Sequence, residues 1–330
     1  MKTTRGMKDL TFDSERRRLD SLDAGQLVVT LVGEGDGKAF LQRLTGLDPA
    51  ALPVEEGLSA GTQVYTLREN TFFALTPWSP ATDGALAAEP ATDLLVWVAG
   101  RDEATTEALD RFAGAARTMG VPAVAALPPS FPGDHQAEGV ALHIPQEDEE
   151  EEIPRLTEML LQALEGAGKE LLLLRVCRYK EKRVVQWVTG AAALALGIAA
   201  LPLAGAGTAL LATLQTGLCL RIAWVYGQPP ATAETLPALA AVSAAGRRLS
   251  HLAHRTLDPA TQRLPKALRA LTTATLDGVL AAALTYGLGM TCLAYYKYLP
   301  EERKEDLTAM IRRLAEEYLT PASTRPDAPA

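Results

Sequence analysis

Residues 27–38 constrain the fold more than any other stretch, because an apolar run leads there into closely spaced glycines and a lysine. Leu27–Val32 is built of leucine and β-branched side chains, which is typical of a buried parallel strand. The residues that complete the motif are Gly33, Gly35, Gly37 and Lys38. A strand, a glycine turn and a helix N-terminus together present backbone N–H groups to an anion. The stretch therefore predicts an α/β sheet with an anion-binding loop at its edge.

The spacing departs from the phosphate-binding loop of nucleoside triphosphatases, which is written G-x-x-x-x-G-K-[ST]. If Gly33 is the first glycine, only three residues separate it from Gly37, so the loop is one residue short; if the spacing is kept, Val32 replaces that glycine. Ala39 stands where a serine or threonine would hold magnesium, and Asp36 adds a negative charge where phosphates would lie. Two interpretations stay open: a degenerate nucleotide loop, or a structural turn in which Lys38 is solvated.

Charge is divided unevenly along the 330 residues, a length that is enough for two domains. Residues 1–168 hold 13 Lys/Arg against 28 Asp/Glu, whereas residues 169–330 hold 19 against 12. An acidic half joined to a basic, apolar half predicts two different environments. Few aromatic residues are interleaved with the charges of the basic half, so nucleic acid is not an expected partner.

Cysteine content and the N-terminus indicate a cytoplasmic protein. The three cysteines are odd in number and lie in apolar surroundings, so we expect a reducing compartment and no disulfide framework. The N-terminal residues contain no apolar core of signal-peptide length, so secretion is not expected. His251 and His254 lack an evident third metal ligand, and His135 and His143 lack a nearby nucleophile. We therefore predict neither a metal site nor catalytic residues.

Strands alternate with helices in the first half of the chain. We predict strands over 61–67, 71–76, 93–99, 121–127 and 140–144, and helices over 103–119 and 153–164. Residues 47–59 are predicted to be a connection, and the acidic run 147–152 a solvated helix start. This order predicts a right-handed α/β layer structure with the glycine loop at the carboxyl edge of its sheet.

The second half is helical in pattern and strongly apolar. Residues 184–220 contain no charged side chain, and Pro202 near their middle predicts a hairpin of two helices. A second uncharged stretch covers 278–296. Each arm of the hairpin is near the length that spans a bilayer, with basic residues at its ends. Its many small residues equally fit a close-packed soluble bundle, and both interpretations stay open.

The predicted organisation has four parts and two further helical segments. The parts are a helical extension over 1–25, an α/β domain over 26–168, an all-α, apolar domain over 169–319 and a disordered tail over 320–330. Within the helical domain, the pattern is amphipathic around 235–257, and a last helix is predicted over 301–319.

Over roughly 26–165 the order of elements resembles a bacterial Era/TrmE-type small GTPase domain. In that family a threonine after glycine contacts magnesium, and Gly61-Thr62 occupies that place. The family's Asp-Thr-Pro-Gly corresponds to Leu75-Thr76-Pro77-Trp78, and its guanine-reading Asn-Lys-x-Asp to Pro128-Pro129-Ser130-Phe131. The resemblance implies a P-loop GTPase-like fold with GTP or GDP and magnesium as candidate ligands. It assigns nucleotide binding to Gly33, Gly35, Gly37, Lys38 and Ala39, and switch-like roles to Thr62, Thr76 and Pro77.

The second half resembles the helical domain, of the YcjF type, that follows such GTPase domains in bacteria. The resemblance is carried by Ala-Leu-Pro-Leu-Ala at 200–204, Ala-Trp-Val-Tyr-Gly at 223–227, Leu264-Pro265 and Thr-Tyr-Gly-Leu-Gly at 285–289. We therefore expect a pseudo-GTPase that binds an unidentified protein partner at the cytoplasmic face of a membrane. One alternative is an active or slow GTPase with an atypical loop. The other is a helical membrane or scaffold module that the α/β domain regulates.

Overall fold

The structure is a computed structural model that describes residues 12–33, 36–59, 61–78, 88–89, 91–100, 102, 104–132, 135–144, 149–200, 206–227 and 266–298. Internal contacts divide the chain into two units. The α/β unit is Asp20–Arg183, and the helical unit comprises Met1–Leu19 with Val184–Ala330. The amphipathic segment 235–257, the predicted helix 301–319 and the predicted tail lie outside the described residues.

The described elements follow one another in the predicted order. In the first 176 residues they are α1 (Phe12–Asp23), β1 (Leu27–Val32), α2 (Gly37–Thr45), β2 (Val54–Glu56), β3 (Gln63–Arg68), β4 (Thr71–Thr76), β5 (Leu94–Val98), α3 (Thr106–Met119), β6 (Ala123–Ala126), β7 (Val140–His143), α4 (Glu149–Glu165) and α5 (Glu170–Val176). A single 3₁₀ turn, Pro49–Ala51, lies between α2 and β2. The helices that follow are α6 (Lys180–Ala200), α7 (Ala206–Val225) and α8 (Lys266–Tyr298).

A seven-stranded sheet organises the α/β unit, in the order β2-β3-β4-β1-β5-β6-β7. β1 pairs in parallel with β4 and β5, and β6 and β7 extend the parallel part, while β2 and β3 run antiparallel at the opposite edge. Every residue of β1 is buried, as the continuous apolar run predicts. The α/β class and the position of Gly33 at the carboxyl end of β1 are confirmed.

Two features of the α/β unit differ from the sequence-based predictions. β2 lies within the segment predicted to be a connection. The sequence pattern did not indicate a strand there, because all three residues are exposed and show no apolar alternation. The acidic run overlaps the first turn of α4, which begins at Glu149 rather than after the run.

Helix α5 belongs to the α/β unit, although the composition changes before it, at 166–168. Its residues Leu171–Leu174 are buried, and the helix packs against α4 and β4. The division of contacts consequently falls between Arg183 and Val184 rather than at 168.

Among the described residues of the helical unit, α6, α7 and α8 share one apolar core. The break between α6 and α7 agrees with the hairpin predicted around Pro202. α6 and α8 approach closely, since a Cβ at Gly289 would lie 2.6 Å from Val188 Cγ2. The Sγ atoms of Cys219 and Cys292 are 3.3 Å apart between α7 and α8. Among the described helices, one segment, Thr275–Lys297, is long and apolar enough to cross a membrane by length and composition.

Candidate functional site

A cleft of about 320 Å³ opens at the carboxyl ends of β1, β4 and β5, next to the N-terminus of α2. It is lined by Leu31, Val32, Gly33, Asp36, Gly37, Lys38, Gly61, Gln63, Leu75, Thr76, Pro77 and Val98. In a parallel sheet this edge is where loops form ligand sites. The structure therefore brings together the predicted glycine loop and most of the predicted switch-like residues; Gly35 lies outside the described residues.

Gly33 is required at the point where the chain leaves β1. Its φ is +127°, and a Cβ built on it would lie 2.4 Å from the carbonyl oxygen of Val98. A side chain there would clash with backbone of the neighbouring strand. The glycine thus allows close approach of two strand ends, whether or not the loop holds a ligand.

Asp36 occupies the end of α2 that a phosphate would use. Its carboxylate Oδ1 accepts a hydrogen bond of 2.9 Å from the backbone N–H of Ala39, and Asp36 is the N-cap residue of the helix. Capping by aspartate satisfies a free amide and places negative charge at the positive end of the helix dipole. Lys38, on the first turn of the helix, is exposed. One of the amides that the motif offers to an anion is therefore already bonded to the chain's own carboxylate.

The two predicted switch-like threonines contact each other. The Oγ1 atoms of Thr62 and Thr76 are 2.9 Å apart and share a hydrogen bond, and both side chains are buried. Gly61 adopts a φ of +77°, and a Cβ there would lie 3.3 Å from Pro77 Cγ. The hydroxyl that the resemblance assigns to magnesium is consequently engaged with β4.

At the end of β4, apolar side chains stand where the resemblance places an aspartate and a glycine. Leu75 is half-buried and lines the cleft, and a Cβ at Gly37 would touch its side chain at 3.3 Å. Trp78 is buried against Trp97 and Phe112, with ring centroids 5.7 Å and 6.1 Å away. The buried indole fixes residue 78 against the core, whereas the family's glycine has no side chain to pack there.

The position of the guanine-reading motif is occupied by a turn whose aromatic residue faces the core. The N–H of Phe131 donates to the carbonyl oxygen of Pro128 at 3.0 Å, and the ring of Phe131 is buried in the same cluster as Trp97. Neither an amide nor a carboxylate side chain is supplied by Pro128-Pro129-Ser130-Phe131. The turn therefore offers no side chain of the kind that reads guanine in the family.

Glu89 is a buried carboxylate that the sequence pattern did not single out. Its Oε1 accepts a 3.1 Å hydrogen bond from the N–H of Ser59, and a Cβ at Gly57 would lie 2.2 Å from the same oxygen. The backbone carbonyl of Glu89 also accepts from Thr92 Oγ1. Glu89 thus fixes the loop that leads to Thr62 through contacts some thirty residues apart in sequence, a distance over which no local pattern carries a signal.

Shifted pKa values occur outside the cleft. Burial lowers the pKa of His143. The carboxylate of Glu152, whose Oε1 is 4.0 Å from His143 Nε2, acts in the opposite direction but is the smaller effect. Burial raises the pKa of the Cys177 thiol to about 12, and burial with the nearby Arg68 lowers the pKa of Lys180 to about 8. A thiol with so high a pKa is a poor nucleophile.

In the described part of the chain no group of three or more His, Cys, Asp or Glu side chains could hold a metal ion. His251 and His254 lie outside that part. The prediction that these two histidines do not form a metal site therefore stays a prediction from the sequence. His135 instead contacts a carboxylate, with Nε2 3.2 Å from Asp110 Oδ1.

Comparison with known proteins matches no family model and no curated protein. The resemblances to a small GTPase domain and to a YcjF-type helical domain stay predictions, carried by the residues quoted for them.

Proposed function

We propose that the α/β unit is a degenerate, GTPase-like module that works by binding a protein partner rather than by hydrolysing nucleotide, and that the helical unit associates with the cytoplasmic face of a membrane. The observation that supports the first part most is the hydrogen bond from the N–H of Ala39 to the carboxylate of Asp36. A bound phosphate would have to displace a covalently attached anion of the same charge sign.

Phosphoryl transfer depends on positioning and on neutralising charge, mainly through magnesium and a lysine. Ala39 has no hydroxyl, and Leu75 has no carboxylate to reach a metal. Among the described residues that line the cleft, Asp36 supplies the one carboxylate, and it caps the helix. Of the groups that neutralise phosphate charge in the motif, the chain keeps the lysine, Lys38, but not the magnesium ligands. Hydrolysis above background is therefore not expected.

A protein partner is favoured by the edge of the sheet that carries β2. Val54 on this edge strand is exposed, and Leu58 in the loop that follows is 85% exposed. Edge strands and exposed leucines are features that partner chains use for binding. Because the indole of Trp78 is buried, we expect the end of β4 to keep one conformation instead of switching with nucleotide.

Calorimetry of the full chain with GTP, GDP and ATP, with and without magnesium, tests the proposal. We expect no binding at micromolar nucleotide and no phosphate release, for the natural chain and for Lys38→Ala alike. Micromolar GTP binding that Lys38→Ala abolishes would support the alternative of an active or slow GTPase. That alternative is favoured by the open cleft and by the close backbone approach at Gly33.

A second variant separates loop geometry from loop chemistry. Ala39→Ser restores the missing hydroxyl but leaves Asp36 and Leu75 in place, so hydrolysis should stay undetectable. Turnover of GTP by this single variant would show that the loop needs only a magnesium ligand. If neither nucleotide nor partner binds the α/β unit, the remaining alternative is a helical membrane or scaffold module.

A further inference from the structure

The hydrogen bonds between β2 and β3 show which main-chain groups of β2 point away from the sheet. The carbonyl oxygen of Pro53 accepts a 3.1 Å hydrogen bond from β3, and the N–H of Gly57 donates a 3.0 Å hydrogen bond to the residue that precedes β3. In an antiparallel pair, the main-chain groups of alternate residues face the neighbouring strand. Those of Glu55 therefore also face β3, whereas those of Val54 and Glu56 point outward.

The outer edge of β2 is consequently a short row of main-chain donors and acceptors, namely the N–H and C=O groups of Val54 and Glu56. β2 is the last strand on its side of the sheet, so no described strand pairs with these groups. All three residues of β2 are exposed. A row of this kind is a template on which an extended segment of another chain can add a strand.

The side chains of β2 indicate what such a segment should carry. Glu55 and Glu56 are exposed, and neither forms an ion pair with a described residue. Val54 is 46% exposed and lies directly opposite Tyr65, which is buried. An added residue opposite Val54 would extend the face that buries Tyr65 and should be apolar, whereas residues opposite the two glutamates should be basic.

A second copy of this chain is disfavoured as the occupant of this edge. In the two-fold register that pairs Val54 of each copy with Glu56 of the other, the Glu55 side chains of the two copies would lie directly opposite each other. Like charges in that position destabilise a sheet and protect edge strands from self-association. The excess of Asp/Glu over Lys/Arg in residues 1–168, 28 against 13, likewise favours a basic segment over another copy.

We propose that the outer edge of β2 binds an extended, basic segment of another protein by strand addition, with basic side chains opposite Glu55 and Glu56 and an apolar side chain opposite Val54. This inference rests on the protein-binding role in the proposed function and specifies the chemistry of the partner. Main-chain hydrogen bonds fix the geometry of the added strand, and the glutamates select its sequence.

A peptide with the central sequence Val-Lys-Lys-Val tests this with the full chain, because it matches the side chains of β2 in either strand direction. In both directions its first lysine presents a main-chain N–H to β2, whereas the N–H of its second lysine points away. Saturation-transfer NMR, which detects weak binding, gives the affinity by titration. We expect the peptide to bind, and a Val-Glu-Glu-Val peptide to bind at least about tenfold more weakly.

Two N-methylated forms of the basic peptide separate strand addition from general attraction to an acidic surface. They have the same charge and composition and differ only in which lysine carries a methyl group on its main-chain nitrogen. Methylation of the first lysine removes a donor to β2 and should abolish binding, whereas methylation of the second should preserve it. Equal binding of the two forms, or a preference for the form methylated on the first lysine, would overturn the inference.

Two variants make the same charge change at exposed positions of the α/β unit. Glu55 is on β2, and Glu69 lies in the turn after the far end of β3. Glu55→Lys should weaken binding of the basic peptide about fivefold, because a like charge then stands opposite its lysine. Glu69→Lys should bind like the natural chain, since exposed charges more than about 8 Å apart are largely screened in 0.15 M salt. Circular dichroism establishes that both variants fold, and equal weakening by both would contradict the proposed register.

The remaining outcomes distinguish this inference from the proposed function. If the basic peptide does not bind, the glutamates only protect the edge, and the inference is wrong, while the nucleotide experiment still decides between a pseudo-GTPase and an active one. Micromolar GTP binding that Lys38→Ala abolishes would refute the pseudo-GTPase whatever the peptide does. If light scattering shows a dimer that Glu55→Gln stabilises, β2 pairs with a second copy of this chain, and strand addition by a basic partner is refuted.

Discussion

The close packing of α6 against α8 can be tested with one methyl group. In Gly289→Ala, the new Cβ would lie 2.6 Å and 2.8 Å from the two Cγ atoms of Val188 and 3.1 Å from Leu218 Cδ2. Carbon atoms at optimal separation are about 3.5–4.0 Å apart, so all three contacts are overlaps. Overpacking of this kind costs about 1–3 kcal/mol.

Helix propensity acts in the opposite direction and must be separated from the overlap. Replacing a helical glycine by alanine stabilises a helix by roughly 0.5–1 kcal/mol. Gly287 lies on the same helix with no atom within 4 Å of its added Cβ, so Gly287→Ala reports propensity alone. We expect Gly287→Ala to stabilise the helical unit and Gly289→Ala to destabilise it by about 1 kcal/mol net.

Urea unfolding of both variants, followed by far-UV circular dichroism, measures the difference. Hydrogen exchange of peptides from α8 assigns the change to the helical unit rather than to the α/β unit. The difference between the two variants should be about 1–3 kcal/mol, the size of the overlap term. If Gly289→Ala stabilises the protein as much as Gly287→Ala does, α6 and α8 do not approach as closely as described.

Three other predictions concern single sites. Asp36→Ala should lower the free energy of unfolding by about 1 kcal/mol through loss of the N-cap, measured by urea unfolding, and should leave GTP hydrolysis undetectable. Because burial lowers the pKa of His143 in the folded state, stability should fall as pH drops below its unfolded value of 6.5, and His143→Gln should flatten that slope between pH 8 and 5.5. Mild oxidation with copper–phenanthroline should join Cys219 to Cys292, seen by mass spectrometry of peptides, with Cys177→Ser as a control that reacts identically.

Local patterns predicted most of the α/β unit. The apolar run of β1 and the glycines after it specify a buried strand and a loop at the carboxyl edge, because strand burial and glycine turns depend on neighbouring residues. The cap at Asp36 is also local, since it joins residues three apart. β2 gave no such signal, as its exposed residues become a strand only by pairing with β3, with Val54 opposite Tyr65.

The domain boundary illustrates a second kind of limit. Composition changes at 166–168, yet α5 stays with the α/β unit because its leucines fill space against α4 and β4. Composition records which residues can be buried, and packing decides which neighbour buries them. Glu89 and Trp78 acquire their places in the same way, through contacts that no short stretch of sequence encodes.

By itself the sequence determined the α/β class, the position of the glycine loop, its missing hydroxyl and the two uncharged helical stretches. These features depend on residue type and on the spacing of residues within one short stretch of chain. Only the tertiary structure decided that Thr62 and Thr76 share a hydrogen bond and that Gln215 on α7 donates to Thr285 on α8. Such contacts join residues 14 and 70 apart in the chain, and their geometry is set by how whole elements pack. Spacing along the chain specifies the elements, whereas packing specifies which of their faces meet.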